Sequence, residues 1–374
     1  MTATGLSPAT VATLTNELLD VGVLVESRFE DSGGGRPRAR LAVNPERGRL
    51  IGVDIAETYV HVELFDLAFG VLDARERHLD RTDNDPADVV AHIAAEVDAV
   101  LAARAVPRGS VLGVGVSLPG QVDRPGGVSV YAPNWNWHDV PFRSLLGDRV
   151  DLPVYVDNPL RASAVAELWF GAGRGSASLV VVTVGTGVGA GIAIDDAVYR
   201  GVTNSAGEWG HSCIVLDGRL CRCGSRGCVE AYVGAPGIIQ TLRELDAASD
   251  IPRPDDETAT IDALAGALAE GDPLAAKVAT DTSRYLGAAL GNLINIVNPD
   301  TVVLGGWVMA RLGDHLLPKI RAATTQHALP QPLRAVHWRL CALPHNPVSV
   351  GAAALALEGF LSSVRPPVHS AQST

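Results

Sequence analysis

Two stretches of the chain share one hydropathy pattern. Residues 49–67, RLIGVDIAETYVHVELFDL, and 178–196, SLVVVTVGTGVGAGIAIDD, each run from an apolar segment through a turn of small residues into a second apolar segment. Runs rich in Val and Ile at strand length, broken by turn residues, predict a strand-turn-strand hairpin twice over. Each is followed by further helix and strand patterns. Residues 86–106, PADVVAHIAAEVDAVLAARAV, have helical apolar spacing, and 110–120, SVLGVGVSLPG, read as a buried strand. In the second half, 275–299 predict a long helix stopped by proline, and 301–306, TVVLGG, a short buried strand with a glycine exit. The halves look duplicated. Two related α/β lobes with a cleft between them are the expected architecture, with ligands bound where strands end and glycine loops begin.

The first 45 residues have a different character. In TGLSPATVATLTNELLDVGVLVE (4–26), Ser7 is placed as N-cap, Pro8 at the first helical position, Val11, Leu14 and Leu18 at helical spacing, and Gly22 ends the helix. VLVESRF, EDSGGGRPR and ARLAVNP then read as strand, glycine-rich loop and strand. A helix followed by a basic-tipped hairpin is the second half of a winged helix-turn-helix, whose recognition helix enters a DNA major groove while the wing touches the backbone. Thr10, Thr13 and Asn16 are then candidate base contacts, and Arg36, Arg38 and Arg40 candidate phosphate contacts. The plainer alternative is a small α+β cap with an arginine-rich loop. The first helix of such a module is expected upstream of Met1, the alternative being a degraded module that binds DNA weakly; the helix that is present carries no Lys or Arg.

At 374 residues the chain exceeds the ~250–300 at which one core stops growing, which agrees with two lobes. No apolar run reaches the ~20 residues of a membrane span, and the start lacks a basic stretch followed by an apolar one, so no membrane partner and a cytoplasmic location are expected. The net charge of -12 repels nucleic acid as a whole. Any DNA contact must come from a local patch or a separate module.

Three of the five cysteines fall within CRCGSRGC (221–228). Cys221, Cys223 and Cys228 are too close for unstrained disulfides, and Gly224 and Gly227 supply turns that aim the sulfurs inward. With His211 they make a Cys3His set, a common closed tetrahedral arrangement for structural zinc. Cys213 competes for the fourth place but lies two residues from His211, on the opposite side of an extended stretch. Redox-active or merely buried cysteines remain the alternative. Glu208 and Glu230 flank this loop, and carboxylates beside an imidazole are natural acceptors for vicinal hydroxyls, although glutamates beside a metal knuckle are usually just solvated. In GTGVGAG (185–191), Gly185, Thr186, Gly187 and Gly189 form the best phosphate-loop candidate, a weak motif that also occurs for steric reasons.

GEWGH (207–211) followed by CRCGSRGCVE (221–230), with GVGVSLPGQVD (113–123), YAPNWNWHDVPF (131–142), GTGVGAGI (185–192) and NLINIVNPDTVVLGG (292–306), resembles the ROK family of repressors and sugar kinases. The resemblance implies the two-lobed fold of actin and hexokinase, with duplicated ribonuclease H-like lobes, preceded here by a partial winged helix-turn-helix similar to that of the family's regulators. The expected divisions are 1–47, 48–157 and 158–349, with a C-terminal helix of about 350–364 returning to the first lobe. The resemblance also implies that Glu208, His211 and Glu230 contact a hexose, with Asn134 and Asn158 as further candidates, and that His211 serves metal and sugar through different nitrogens.

Two positions depart from the family's kinases. Those place an aspartate, the general base for the sugar hydroxyl, directly after an asparagine; in VDNPLRASAVAE (156–167) that position is Pro159. Proline has no titratable atom, and general-base help is worth about 10²–10⁴-fold. Asp157 lies two residues earlier, outside the ~3 Å reach required. The kinases also resemble D-x-G-G-T at the first hairpin, where this chain has DIAET (54–58), aiming Glu57 at the phosphates. The expected function is a sugar-responsive transcriptional regulator, a repressor by preference, a homodimer or higher homo-oligomer on operator DNA, that senses a hexose or hexose derivative without phosphorylating it. The alternatives are a sugar kinase and a sugar-binding protein without a DNA role. Trp135 and Trp137 are equally readable as sugar-stacking or packing residues, 246–260 as an acidic surface loop, and 365–374 as a disordered end.

Overall fold

A computed structural model describes residues 6–30, 38–79, 84–245 and 256–364. Two five-stranded sheets organise it. In the first, the order is Val154–Asp157, Val111–Ser117, Arg49–Ala56, Tyr59–Asp66, Val71–His78; the first three strands are parallel and the last two antiparallel. In the second, His337–Leu340, Thr301–Gly305 and Ser178–Val184 are parallel, and Val188–Ile194 and Ala197–Val198 follow antiparallel. The two sheets therefore have the same topology. In each, the predicted hairpin supplies the central strand and its antiparallel neighbour, so the turns at 57–58 and 185–187 occupy equivalent places. The duplication read from the hydropathy pattern is real. Long apolar runs suit these strands because helices cover the sheets: Arg49–Ala56 buries its six central residues.

Helix Pro347–Val364 crosses the first sheet at backbone distance. A Cβ at Gly52 would strike the Ser349 carbonyl oxygen, and one at Gly115 that of Ala352. The same helix presents Gly351 to the Ala162 carbonyl of helix Pro159–Trp169, which itself covers strand Val188–Ile194. Gly115→Ala is therefore expected to destabilise the fold by about 1–3 kcal/mol, the usual cost of forcing a methyl group into a closed contact. Urea denaturation reads it; an unchanged midpoint would show that the helix can retreat.

A three-stranded sheet of Gln121–Asp123, Val128–Ala132 and Trp137–Val140 projects from the first lobe. Trp135 and Trp137 are both buried beneath it, with ring centroids 5.0 Å apart, and Trp137 Nε1 donates to the Asn84 carbonyl at 2.6 Å. They are packing residues. The acidic stretch 246–260 is helical from Glu257, because the Asp256 side chain caps the Ala259 amide at 2.8 Å; 246–255 lie outside the described residues. Residues 365–374 also lie outside them.

The N-terminal helix spans Pro8–Asp20, with Ser7 Oγ accepting from the Thr10 amide at 3.1 Å and Gly22 following at φ +73°. Strands Leu24–Glu30 and Arg38–Val43 then pair antiparallel, giving a helix followed by a hairpin. None of the helix is buried, and Asn16 is exposed. The Thr10 hydroxyl is bonded to Ser7 Oγ, and that of Thr13 donates to the Ala9 carbonyl. Arg40 is exposed, while Arg36 and the Arg38 side chain lie outside the described residues. Val23 anchors the module in a cluster with Leu50, Phe65 and Ala353, against which Leu18, Phe360 and Leu361 pack. No helix among the described residues is long and apolar enough to cross a membrane.

Candidate functional site

Beyond strand Ala197–Val198 the chain turns into Glu208–His211, a single short helical turn. Gly207 precedes it at φ +93°, and a Cβ there would collide with the Ala190 carbonyl, so this turn lies directly on strand Val188–Ile194. The knuckle follows. The ligand atoms of His211, Cys221, Cys223 and Cys228 lie within 4.8 Å of one another. Cys223 Sγ and Cys228 Sγ are 3.8 Å apart, and Cys221 Sγ is 3.7 Å from His211 Nδ1. Metal–thiolate bonds of about 2.3 Å at tetrahedral angles give sulfur–sulfur edges of about 3.8 Å, so the donors fit a four-coordinate ion. Cys213 is exposed, bridges Cys228 only through backbone pairing, and stands outside this donor set. The imidazole faces the thiols with Nδ1, which leaves Nε2 for another partner.

The flanking carboxylates have distinct surroundings. Glu230 is buried; its Oε2 accepts the Val188 amide at 2.9 Å and its Oε1 stands 3.7 Å from Cys221 Sγ, tying the second hairpin to the knuckle. Glu208 is half-buried, and burial pushes its carboxyl above the usual range, opposed by Arg161 and His211. Its Oε1 lies 3.8 Å from Arg161 Nη2 and has no hydrogen-bond partner. Arg161 is only 1% exposed, and burial pushes its guanidinium down despite Asp157 and Glu208. Nη2 donates to the Ala206 carbonyl at 2.8 Å, while Nε and Nη1 are unpartnered.

Asn158 caps helix Pro159–Trp169: its Oδ1 accepts the Leu160 amide at 2.9 Å and its Nδ2 donates to the Gly120 carbonyl at 2.6 Å. Pro159 takes the first helical position, where its missing N–H costs nothing. Asp157 is fully buried and held on every side. Its Oδ1 accepts the Asn158 amide at 2.8 Å and Asn204 Nδ2 at 3.0 Å, and its Oδ2 faces Arg200 Nε at 3.3 Å and Arg124 Nε at 4.0 Å.

On the phosphate side, Gly185, Thr186 and Gly187 form the turn, whereas Gly189 sits inside strand Val188–Ile194 opposite Thr183, against Leu160, where it cannot cradle an anion. The Gly185 amide donates to the Gly187 carbonyl at 2.9 Å, and Thr186 Oγ1 donates to Glu257 at 3.1 Å. At the first hairpin, buried Asp54 accepts from Tyr59 Oη and Asn346 Nδ2, each at 3.0 Å, and burial raises its carboxyl above 3.8. Asn134 Nδ2 donates to Glu57 Oε1 at 2.7 Å. Of the five predicted sugar contacts, Glu208, His211 and Glu230 are brought together at the knuckle, Asn158 sits beside Asp157, and Asn134 is turned to the first hairpin.

A profile of the ROK family matches residues 50–359. This chain belongs to the ROK family. The ROK chain is 31% identical over 361 residues to a putative xylose repressor of Caldicellulosiruptor sp. (strain Rt8B.4), covering 96% of this chain and 90% of the relative. The crystal structure of a ROK family transcriptional regulator, a homolog of the E. coli MLC protein, superposes with a TM-score of 0.78 at 27% identity, covering 96% of this chain and 90% of that one. A ROK glucokinase from Streptomyces griseus, solved with glucose and AMPPNP, superposes with a TM-score of 0.69 at 29% identity, covering 100% of its own length but 83% of this chain. These likenesses bear out the two-lobed kinase-like fold. Arg161, Arg200, Asn204 and Arg222 were missed as site residues from sequence. Arg161 lies in the departing stretch VDNPLRASAVAE and Arg222 between two cysteine ligands, and those positions were the available signals.

Proposed function

We propose that this ROK protein is a sugar-responsive transcriptional regulator that binds a hexose or hexose derivative in a kinase-like pocket without phosphorylating it. The observation that carries this reading is the coverage: the repressor and the regulator align over 96% of the chain, while the glucokinase leaves 17% of it unmatched. The helix and hairpin of residues 8–43 precede the family match at residue 50, which makes them the natural surplus. Residues 1–47 are the DNA-contacting part, 48–157 with the C-terminal helix the first lobe, and 158–349 the second.

In this reading Glu208, Glu230 and His211 Nε2 receive sugar hydroxyls. Zinc is the metal that suits three thiolates and an imidazole, and four protein donors leave no open position, so it shapes the loop and activates no water. Sugar binding changes DNA affinity only by its differential affinity for two arrangements of the lobes. A dimer places two modules on two half-sites. A gel-shift assay with the DNA upstream of the chain's own gene, run with and without glucose and xylose, tests the reading. Retarded DNA that one sugar releases or strengthens is expected; DNA binding indifferent to every sugar, or none at all, overturns it.

A further inference from the structure

The turns 57–58 and 185–187 are equivalent positions of the duplicated fold, one on each lobe, and a single guanidinium joins them. Arg222 Nη1 lies 3.3 Å from both carboxylate oxygens of Glu57, and Arg222 Nη2 donates to the Thr186 carbonyl at 3.1 Å. Arg222 stands between the ligands Cys221 and Cys223, so its backbone is held by the knuckle. Glu57 is held in turn by Asn134.

Three of the donors with which this glycine turn would hold phosphate are already spent. The Gly185 amide is bonded to Gly187, the Val188 amide to Glu230, and the Thr186 hydroxyl to Glu257. A polyphosphate arriving here meets the carboxylates of Glu57, Glu230 and Glu257 and one already paired arginine. We infer that the Glu57–Arg222 pair is the protein's own occupant of the phosphate end of the cleft: it ties the two turns together in place of a nucleotide and makes the cleft selective for ligands without a polyphosphate. This inference deepens the proposed function and rests on it for the sugar end alone.

The pair is partly exposed, with side-chain exposures of 21% for Glu57 and 36% for Arg222, so the tie is modest and adjustable. Exposed pairs of this kind shift an equilibrium by roughly two- to fivefold. Amide hydrogen exchange over 185–188 and 57–60 measures it directly. Glu57→Gln and Arg222→Gln are each expected to speed exchange in the segment opposite the substitution by about that factor. The reversed pair, E57R with R222E, is expected to return it to within twofold of the wild-type protein. Exchange unchanged in both single variants, or a reversed pair no better than the singles, overturns the tie.

Calorimetry with magnesium–AMPPNP tests the exclusion. No heat is expected with the wild-type protein at millimolar nucleotide; a micromolar Kd overturns it. Glucose or xylose titrated into the same wild-type sample reads the proposed sugar pocket separately, so an unresponsive pocket leaves the exchange and nucleotide results standing.

Discussion

Mixing this protein with ATP and glucose is expected to release ADP at least about 10²–10⁴-fold more slowly than a kinase with an intact base, the range that general-base assistance supplies. Attack on a phosphoryl group needs the sugar hydroxyl to lose its proton to a group within about 3 Å. The position after Asn158 holds Pro159, whose ring begins a helix. The nearest carboxylate in sequence, Asp157, already accepts from Asn158 and Asn204 and faces Arg200. Drawing it towards a sugar would strip a fully buried charge of those donors, a cost of several kcal/mol. Pro159→Asp is expected to leave turnover low, because Glu57 still faces the phosphate end. A coupled ADP assay decides the matter, and turnover of the wild-type protein at about 10 s⁻¹, the ordinary enzyme rate, would return the chain to the kinases.

Replacing one knuckle cysteine is expected to have the largest effect on stability. Cys228→Ser should reduce bound zinc from about one per chain to almost none, lower Tm by more than about 5 °C, and weaken sugar binding by about 10–100-fold. Regular pairing in this loop is limited to the isolated bridges Cys213↔Cys228 and Leu220↔Arg226, and a bound ion that gathers four donors would add a cross-link to its turn hydrogen bonds. The loop in turn holds Glu230, the acceptor of the Val188 amide. Cys213→Ser is the control: exposed and outside the donor set, it should leave zinc content and Tm near those of the parent. Metal analysis and thermal melting check both variants. Zinc in the Cys228 variant equal to that of the parent would place the ion elsewhere.

The hairpins and the strand Thr301–Gly305 were legible as apolar runs of strand length, and the helix Pro273–Val297 as a long stretch ended by proline. The candidate metal set was legible because three thiols and an imidazole crowd into a short span. Short elements were not. His337–Leu340 is a strand only through its partner Thr301–Gly305, and nothing in four residues of mixed polarity announces that pairing. Gly189 was read as loop because glycine serves both turns and close packing, and only the neighbouring Leu160 distinguishes the two. The pairing of Arg222 was hidden for a different reason: its partners, Glu57 and Thr186, lie 165 and 36 residues away.

Because helix Pro347–Val364 touches Gly52 and Gly115 on one side and offers Gly351 to Ala162 on the other, there is no slack for the lobes to part along it. The helix is a pin gripped by both lobes. The far end of that pin, Phe360 and Leu361, packs in the cluster that seats Val23 of the N-terminal module. A turn of either lobe that carried this helix with it would therefore bear directly on the module that precedes the first lobe.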